Sequence, residues 1–367
     1  MERRPVYGWK SLLGACLLAL AGMTAGAAAQ TAPQTTAPQT VHKPASETGL
    51  QTAALQTAQP QAAAPAGIRL DGTPRIAVIS AFAPELALLR KSLQEPEEHT
   101  VNGVVFTTGV LQGHPVLLFL SGISMVNAAM NTQLAIDRFN VSHILFSGIA
   151  GGVNPELNIG DVNVPERWGQ HLEVLMAREP EPGVYEQPPS KENLDLPNFG
   201  MLHHRAVRVP SDADPRPSRQ FWFPVDPALL EAVRGMKDIT LQSCDENKVC
   251  LREPPRLVVG GNGLSGAAFV DNAQYREHLS GVFRAQVVDM ESAACAMVAQ
   301  ANQVPFLAFR SVSDLAGGGP DANEMYIFLN IAAENSARVL MAFLAHWEHP
   351  RSDGAGGEQP TGAQRHN

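Results

Sequence analysis

Short apolar runs alternate along residues 75–347 with segments whose apolar residues recur at helical spacing. The continuous runs predict buried strands, whereas the helical spacing predicts amphipathic helices. The predicted strands are 75–80, 100–108, 116–121, 143–147, 256–259, 287–288 and 305–309, and helices are predicted from Pro84 onward and at 125–138, 227–234 and 324–347. Strands and helices in alternation indicate an α/β fold in which helices cover a central sheet.

The stretch 286–316 joins a strand, a helix and a second strand, and it carries two notable acids. The first strand leads into Glu291, a helix of small residues follows, and the second strand leads into Asp314. Strand, helix and strand in this order predict a parallel crossover unit. The unit then presents Glu291 and Asp314 at the carboxyl ends of its strands, the edge of an α/β sheet where ligands bind.

Three further features fit both a structural and a functional interpretation. Glu85 stands in the first turn of a helix, where an acid complements the helix dipole. Residues 148–152 read Gly-Ile-Ala-Gly-Gly and predict a turn, either for steric reasons alone or because the backbone approaches a ligand. Phe269 stands in a loop among small residues, where it either anchors the local core or forms the flat wall of a base pocket.

The two ends of the chain differ in composition from the middle. Residues 1–29 have a basic start, an apolar run and small residues at their end, which predicts a cleaved signal peptide and a periplasmic or secreted protein. The competing interpretation, a lipoprotein cleavage site at Cys16, leaves almost no apolar segment before the cysteine. Residues 30–67, rich in Ala, Gln, Thr and Pro, predict a disordered linker, and 351–367 predict a disordered tail, so 68–350 form the folded domain.

The net charge, the apolar stretches and the cysteines bear on nucleic-acid binding, membrane insertion and disulfide formation, respectively. A formal net charge of -9 without clustered cations argues against binding to nucleic acid. We expect no membrane span, because no stretch after the signal peptide looks long and apolar enough. Cys244 and Cys250 bracket a short polar loop and predict a local disulfide in an oxidising compartment, whereas Cys295 predicts a buried free thiol.

An insertion at 166–225 is rich in Pro and aromatic residues and contains the pair His203-His204. Adjacent residues on a strand point to opposite sides, so we interpret the two histidines as structural or rim residues rather than as metal ligands.

Two motifs and several shorter ones give the chain a family resemblance. The most specific motifs are Val-Asp-Met-Glu-Ser-Ala-Ala at 288–294 and Arg-Ser-Val-Ser-Asp at 310–314. Shorter motifs support them at 121–123, 147–152, 160–162 and 265–269, and all of them follow one another along the chain as they do in one known family. With these motifs the chain resembles the nucleoside phosphorylase superfamily, and within it most closely the methylthioadenosine/S-adenosylhomocysteine nucleosidases and their secreted relatives. The resemblance implies a three-layer α/β/α sandwich with a mixed, partly closed central sheet. It also implies a homodimer or higher homo-oligomer that uses neither a metal nor a cofactor.

The resemblance also implies roles for individual residues. Asp314 would protonate or hydrogen-bond the purine N7, Glu85 would activate the attacking water, and Glu291 would hold the ribose hydroxyls. Such an acid is useful because breaking an N-glycosidic bond expels a poor leaving group and leaves an oxocarbenium-like sugar. The other residues expected to contact substrate are Met290, Phe269, Val270, Ile149, Gly148 and Ser313.

The expected reaction is hydrolysis of adenosine-type nucleosides, with two alternatives left open. Phosphorylases of the superfamily hold phosphate with an Arg and with a Ser or Thr, and Phe146 and Ile149 stand at those positions here. Neither side chain donates a hydrogen bond, which favours water over phosphate, although the nucleosidases also tend to carry Ser at the second position. The other alternative is an inactive binding or storage protein, against which the joint presence of Glu85, Glu291 and Asp314 argues.

Overall fold

A computed structural model describes residues 69–347 except 191, 193 and 238. All of these residues belong to one compact unit. The predicted signal peptide 1–29, linker 30–67 and tail 351–367 lie outside the described residues.

The described chain forms six helices and sixteen strands. The helices are α1 Ala83–Ser92, α2 Met125–Arg138, α3 Pro227–Arg234, α4 Ala273–Phe283, α5 Ser292–Ala301 and α6 Met325–His346. The strands are β1 Asp71–Ser80, β2 Gln94–Val101, β3 Val104–Leu111, β4 His114–Leu120, β5 Phe139–Gly152, β6 Val162–Val164, β7 Arg167–Gln170 and β8 Val174–Met176. They continue as β9 Arg178–Glu181, β10 Val184–Glu186, β11 Leu202–His204, β12 Trp222–Pro224, β13 Leu257–Val259, β14 Asn262–Ser265, β15 Ala285–Asp289 and β16 Phe306–Asp314.

Twelve strands make one mixed sheet, in the order β12-β7-β14-β15-β5-β1-β4-β3-β2, with β16, β6 and β13 branching from β5. β1 runs parallel to β4 and β5, and β3 runs antiparallel to β2 and β4. β15 runs parallel to β14 but antiparallel to β5. Every residue of β16 is buried, as expected for a strand covered on both faces. Helices α1 and α6 pack together and α2 and α5 pack together over the sheet, which confirms the predicted α/β sandwich with a mixed sheet.

The predicted crossover unit is wrong in its pairing, because β15 and β16 both pair with β5 and not with each other. β16 runs parallel to β5 from the pair Phe306–Ile144, whereas β15 runs antiparallel at the pair Val287–Gly152. β5 is long enough for both because it continues through 148–152, the segment predicted as a turn. The glycines there admit close neighbours: a Cβ at Gly151 would lie 3.2 Å from the Cβ of Ala316.

Two other boundaries differ from the prediction. The single strand predicted at 100–108 is a hairpin of β2 and β3 that turns at Asn102-Gly103, where both residues have positive φ. The turn predicted at 260–263 ends earlier, because Asn262 already begins β14. In both places an Asn-Gly or Gly-Gly pair makes a tighter turn than the apolar pattern suggests.

Helix α6 contradicts the expectation that no stretch after the signal peptide is long and apolar enough to span a membrane. It is long and apolar enough to cross a membrane by those two criteria alone, but 61% of its most apolar window is buried in the fold. The helix packs on β16, β5 and α1, so its apolar surface belongs to the core of this domain.

Candidate active site

A cavity of about 270 Å³ lies where β5, β15 and β16 end. Most of its lining is apolar, and its charged lining consists of carboxylates alone, since no Lys, Arg or His of the described chain is part of it. The predicted site residues that line it are Glu85, Ile149, Phe269, Val270, Met290, Glu291, Ser313 and Asp314. Residues from distant parts of the sequence therefore meet in one pocket, the form that small-molecule sites usually take.

Glu85 is buried in the first turn of α1 and faces both the cavity and the chain before the helix. Its Oε2 accepts hydrogen bonds from the backbone N–H of Ala81 (2.6 Å) and Phe82 (3.4 Å), and its Oε1 accepts from Ile149 N–H (2.8 Å). Burial raises the pKa of Glu85, while Arg310 and the three backbone donors act in the opposite direction. The Glu85 carboxylate is therefore fixed by hydrogen bonds and largely removed from solvent, which makes it a candidate general base.

Arg310, which had no role in the sequence prediction, lies behind the cavity wall in the middle of β16 and is fully buried. Its guanidinium contacts three carboxylates: Nε is 2.8 Å from Asp289 Oδ2, Nη2 is 3.5 Å from Glu291 Oε2, and Nη1 is 3.8 Å from Glu85 Oε1. One guanidinium cannot pair fully with three buried carboxylates, and the pKa values of Glu85 and Glu291 are raised by burial despite its presence. The guanidinium carbon also lies 4.1 Å from the centre of the Phe146 ring.

Glu291 is the N-cap residue of α5 and extends toward the start of α2. Its Oε1 accepts a hydrogen bond from Ser124 N–H at 2.7 Å. Burial, opposed by Arg310 and reinforced by Asp289, raises the pKa of Glu291 to about 7. Its neighbour Asp289 accepts from Ser265 Oγ (2.5 Å) and from two backbone N–H groups at the start of α5, so it fixes the turn that places Glu291.

Asp314 occupies a different wall of the cavity, at the end of β16. Its Oδ1 accepts from Ala316 N–H (2.9 Å) and from the Asn323 side-chain amide (3.2 Å), and its Oδ2 accepts from Ser313 Oγ (2.9 Å). Burial raises the pKa of Asp314 against these hydrogen bonds. No guanidinium or ammonium in the described chain forms an ion pair with it. The geometry therefore favours a carboxyl group that holds a proton more readily than an ordinary Asp.

Phe269 and Val270 form the wall between β14 and α4. The Phe269 side chain is 54% exposed although it lines the cavity, so it is an open flat surface and not a core anchor. The loop is held from behind, since Gly266 packs so tightly on His171 that a Cβ there would lie 2.4 Å from its Nε2. The α4 N-cap, Asn272, then fixes the end of the loop by accepting from Tyr275 N–H.

Gly148 is the one predicted substrate contact that does not line the cavity. It lies behind the wall, where a Cβ would come within 2.4 Å of Arg310 Nη1 and 2.5 Å of Glu85 Oε1. The absence of a side chain at position 148 therefore makes room for Arg310 and Glu85. The next residue, Ile149, does face the cavity and bonds Glu85 and Arg310 through its backbone.

Sequence reasoning missed Arg310, Asp289 and Asn323 as parts of the site. A signal for Arg310 was present, because a charged residue in a fully buried strand requires buried partners. Asn323 gave no such signal, since its contacts depend on how the chain after Asp314 folds back.

The insertion and its histidines stand outside the cavity lining. β7 and β12 connect the ends of the insertion to the main sheet, and β8 to β11 form two small sheets beside it. His204 is buried, and its Nε2 lies 3.1 Å from Nε2 of His278. Among residues 69–347, apart from the three gaps, no group of three His, Cys, Asp or Glu side chains is arranged to hold a metal ion.

The cavity, its carboxylates and the mixed sheet can be compared with known proteins. Residues 75–345 match the phosphorylase superfamily. The chain belongs to this superfamily. A 5′-methylthioadenosine/S-adenosylhomocysteine nucleosidase of Mycobacterium bovis is 30% identical over 275 residues, which cover 73% of this chain and 96% of the relative.

Solved structures of the superfamily have the same fold. The nucleosidase of the same name from Streptococcus pneumoniae, solved with the transition-state inhibitor MT-ImmA, is 25% identical with a TM-score of 0.54, covering 74% of this chain and 99% of that one. The Colwellia psychrerythraea enzyme, solved with adenine, has a TM-score of 0.56 at 24% identity and covers 75% of this chain and 96% of its own. Membership of the superfamily and its fold are therefore established for this chain.

Proposed function

We propose that this protein is a purine nucleosidase that hydrolyses the N-glycosidic bond of adenosine-type nucleosides such as methylthioadenosine or S-adenosylhomocysteine. The observation that carries the proposal is the division of one cavity into two acidic regions. Asp314 stands on one wall without a cation, and Glu85 and Glu291 stand on another around Arg310. The two regions match the two ends of a glycosidic bond, one needing a proton and the other a base and negative charge.

The base of the nucleoside occupies the region of Asp314. Phe269 offers a face on which a purine ring stacks, and the Val270 backbone lies beside it. Asp314, whose pKa is raised by burial, donates its proton to the purine N7. The electron pair of the breaking bond between C1′ and N9 then passes into a neutral base.

The sugar and the water occupy the region of Arg310. Glu291, beside Met290, accepts hydrogen bonds from the ribose hydroxyls, and its negative charge stabilises the oxocarbenium-like sugar. Glu85 takes a proton from a water molecule while the water oxygen bonds to C1′. Because three backbone N–H groups and Arg310 favour its ionised form, Glu85 remains a base despite its burial.

Water is favoured over phosphate as the attacking group. Phosphate would need free positive charge, but Arg310 is already engaged by three carboxylates and has Phe146 on its face. The apolar Ile149 side chain stands where a phosphate-binding hydroxyl is expected. The same carboxylates would repel a phosphate anion.

An adenine-release assay tests the proposal. Purified protein is incubated with methylthioadenosine, S-adenosylhomocysteine or adenosine, with and without inorganic phosphate, and free adenine is quantified. We expect release without phosphate. Release that strictly requires phosphate contradicts hydrolysis and indicates a phosphorylase, and tight binding without release indicates a binding or storage protein.

We propose further that the protein acts as a homo-oligomer. Large apolar side chains are exposed just before and on α2, in the Phe269 loop and at the start of α6: Ile123, Val126, Met130, Phe269, Tyr326 and Ile327. Three of them, Ile123, Phe269 and Tyr326, also line the cavity. Exposed apolar side chains of this size support an interface between subunits. Light scattering tests this assignment, and a monomer at micromolar concentration contradicts it.

We also propose that the protein is exported to the periplasm or secreted. The composition of residues 1–29 supports a signal peptide. A disulfide joins Cys244 to Cys250, as suits an oxidising compartment. Fractionation of cells that express the full chain tests this location, and mature protein found only in the cytoplasm contradicts it.

A further inference from the structure

Asn323 links three parts of the cavity through one side chain. It lies in the connection between β16 and α6, residues 315–324, referred to here as the β16–α6 connection. Its amide Nδ2 donates to Asp314 Oδ1 at 3.2 Å and to Asp271 Oδ1 at 3.1 Å. Its Oδ1 accepts from Met325 N–H at 2.9 Å, the first residue of α6.

These partners belong to, or directly follow, three different walls of the cavity. Asp314 is the candidate acid, Asp271 directly follows the Phe269-Val270 wall, and Met325 lines the cavity from α6. The β16–α6 connection also approaches this wall through Gly317, where a Cβ would lie 2.3 Å from Asn272 N. Asn323 thus bonds the acid, the base wall and the helix start at one point.

The chemistry of the Asn323 amide suits a carboxyl group that must hold its orientation. Asp314 receives hydrogen-bond donors on both oxygens. Ser313 and Ala316 lie within two residues of Asp314, whereas the Asn323 side chain reaches it from nine residues farther along the chain. Asp271 cannot replace it, because two carboxylates this close repel each other unless a donor bridges them.

We propose that Asn323 is a positioning residue that aims Asp314 at the base and fastens the β16–α6 connection to the Phe269-Val270 wall. The inference rests on the proposed function, in which Asp314 is the proton donor. A donor to the carboxylate favours the ionised form, so Asn323 lowers the pKa of Asp314 against the burial that raises it. Loss of this donor raises the pKa of Asp314.

Asn323→Asp tests the inference, since a carboxylate retains the acceptor for Met325 N–H but removes the donor to Asp314. A general acid works while protonated, so activity falls as pH rises through its pKa. In this variant the alkaline limb of kcat/KM for adenine release therefore moves to higher pH. The value of kcat on the plateau falls about fivefold, the effect of one lost hydrogen bond. Asn323→Ala moves the limb in the same direction by less, because it adds no charge.

Arg252→Gln is the matched control. Arg252 Nη2 bonds Glu324 Oε1 at 2.7 Å on the outer side of the same connection and makes no contact with Asp314. If Asn323 acts only by holding the β16–α6 connection, Arg252→Gln and the two Asn323 variants change KM to a similar extent. The alkaline limb of kcat/KM then stays at the wild-type pH in all three variants. That result overturns the inference.

A direct titration separates this inference from the proposed function. Carboxyl-carbon NMR of the unliganded protein, assigned by comparison with Asp314→Asn, follows the protonation of Asp314 without turnover. The expected result is a higher midpoint in Asn323→Asp and Asn323→Ala than in the wild type and in Arg252→Gln. Equal midpoints overturn the role of Asn323 even when adenine is released, whereas absence of adenine release from the wild type overturns the proposed function.

Discussion

Replacing Arg310 by Met tests how the charge cluster is held together. The substitution keeps a long side chain in β16 but leaves Glu85, Asp289 and Glu291 without their shared cation. All three side chains are at most 5% exposed, so solvent screens their mutual repulsion only weakly once the guanidinium is gone. Removing one partner of a buried ion pair typically costs about 3–5 kcal/mol.

We expect the free energy of unfolding at neutral pH to fall by about 4 kcal/mol, a large share of the roughly 5–15 kcal/mol of a typical domain. The loss also depends on pH. An acid whose pKa is higher in the folded state than in the unfolded state binds a proton on folding, so its contribution to stability is lost as pH rises between the two values. In the wild type Glu291 gives this loss between its ordinary value of 4.5 and about 7.

In Arg310→Met the pKa values of Glu85 and Glu291 rise further, so stability continues to fall above neutral pH. Urea unfolding from about pH 5 to about pH 9 measures this difference. The double variant Arg310→Met with Glu291→Gln removes one stranded charge and recovers part of the loss. A loss below about 1 kcal/mol, or parallel pH curves for wild type and variant, refutes the reasoning.

Three further substitutions test the other walls and the disulfide. Asp314→Asn lowers kcat for adenine release by about a hundredfold to ten-thousandfold with an unchanged melting temperature, and near-normal turnover removes Asp314 as the acid. Phe269→Ala raises KM about fivefold and leaves kcat less affected, because stacking contributes about 1 kcal/mol; Phe269→Tyr, the control, retains the stack, and an unchanged KM excludes stacking. Cys250→Ser removes the disulfide to Cys244 and lowers the free energy of unfolding by about 2 kcal/mol. Urea unfolding of the variant, of the oxidised wild type and of the wild type with reductant measures this loss, and a wild type that is equally stable with and without reductant contradicts it.

Local patterns predicted five of the six helices of the described chain and, with the family resemblance, the mixed type of sheet, but they missed α4. The bounds of α2 and α3 agree with the predicted 125–138 and 227–234, since both helices have apolar stripes and recognisable ends. The structure also brings Glu85, Glu291 and Asp314 to one cavity, although more than two hundred residues separate the first from the second.

The sequence pattern did not predict how the strands pair, and it did not show which carboxylates would surround Arg310. Whether 148–152 is a turn or part of β5 depends on neighbours that approach its glycines from β15, β16 and the residues that follow β16. The same holds for Asn323, whose contacts arise only when the chain folds back over Asp314. Long-range contacts of this kind produce no periodic pattern in the sequence, so only the three-dimensional structure shows them.

The stacking of Arg310 on Phe146 constrains attempts to redesign the reaction. A protein engineer seeking phosphorolysis would place an Arg at position 146, but its guanidinium would meet that of Arg310, which now lies 4.1 Å from the ring centre. Two like charges at that distance in a buried site repel strongly. A switch from water to phosphate therefore requires coordinated changes on β5 and β16, so single substitutions at position 146 are expected to yield misfolded or inactive protein.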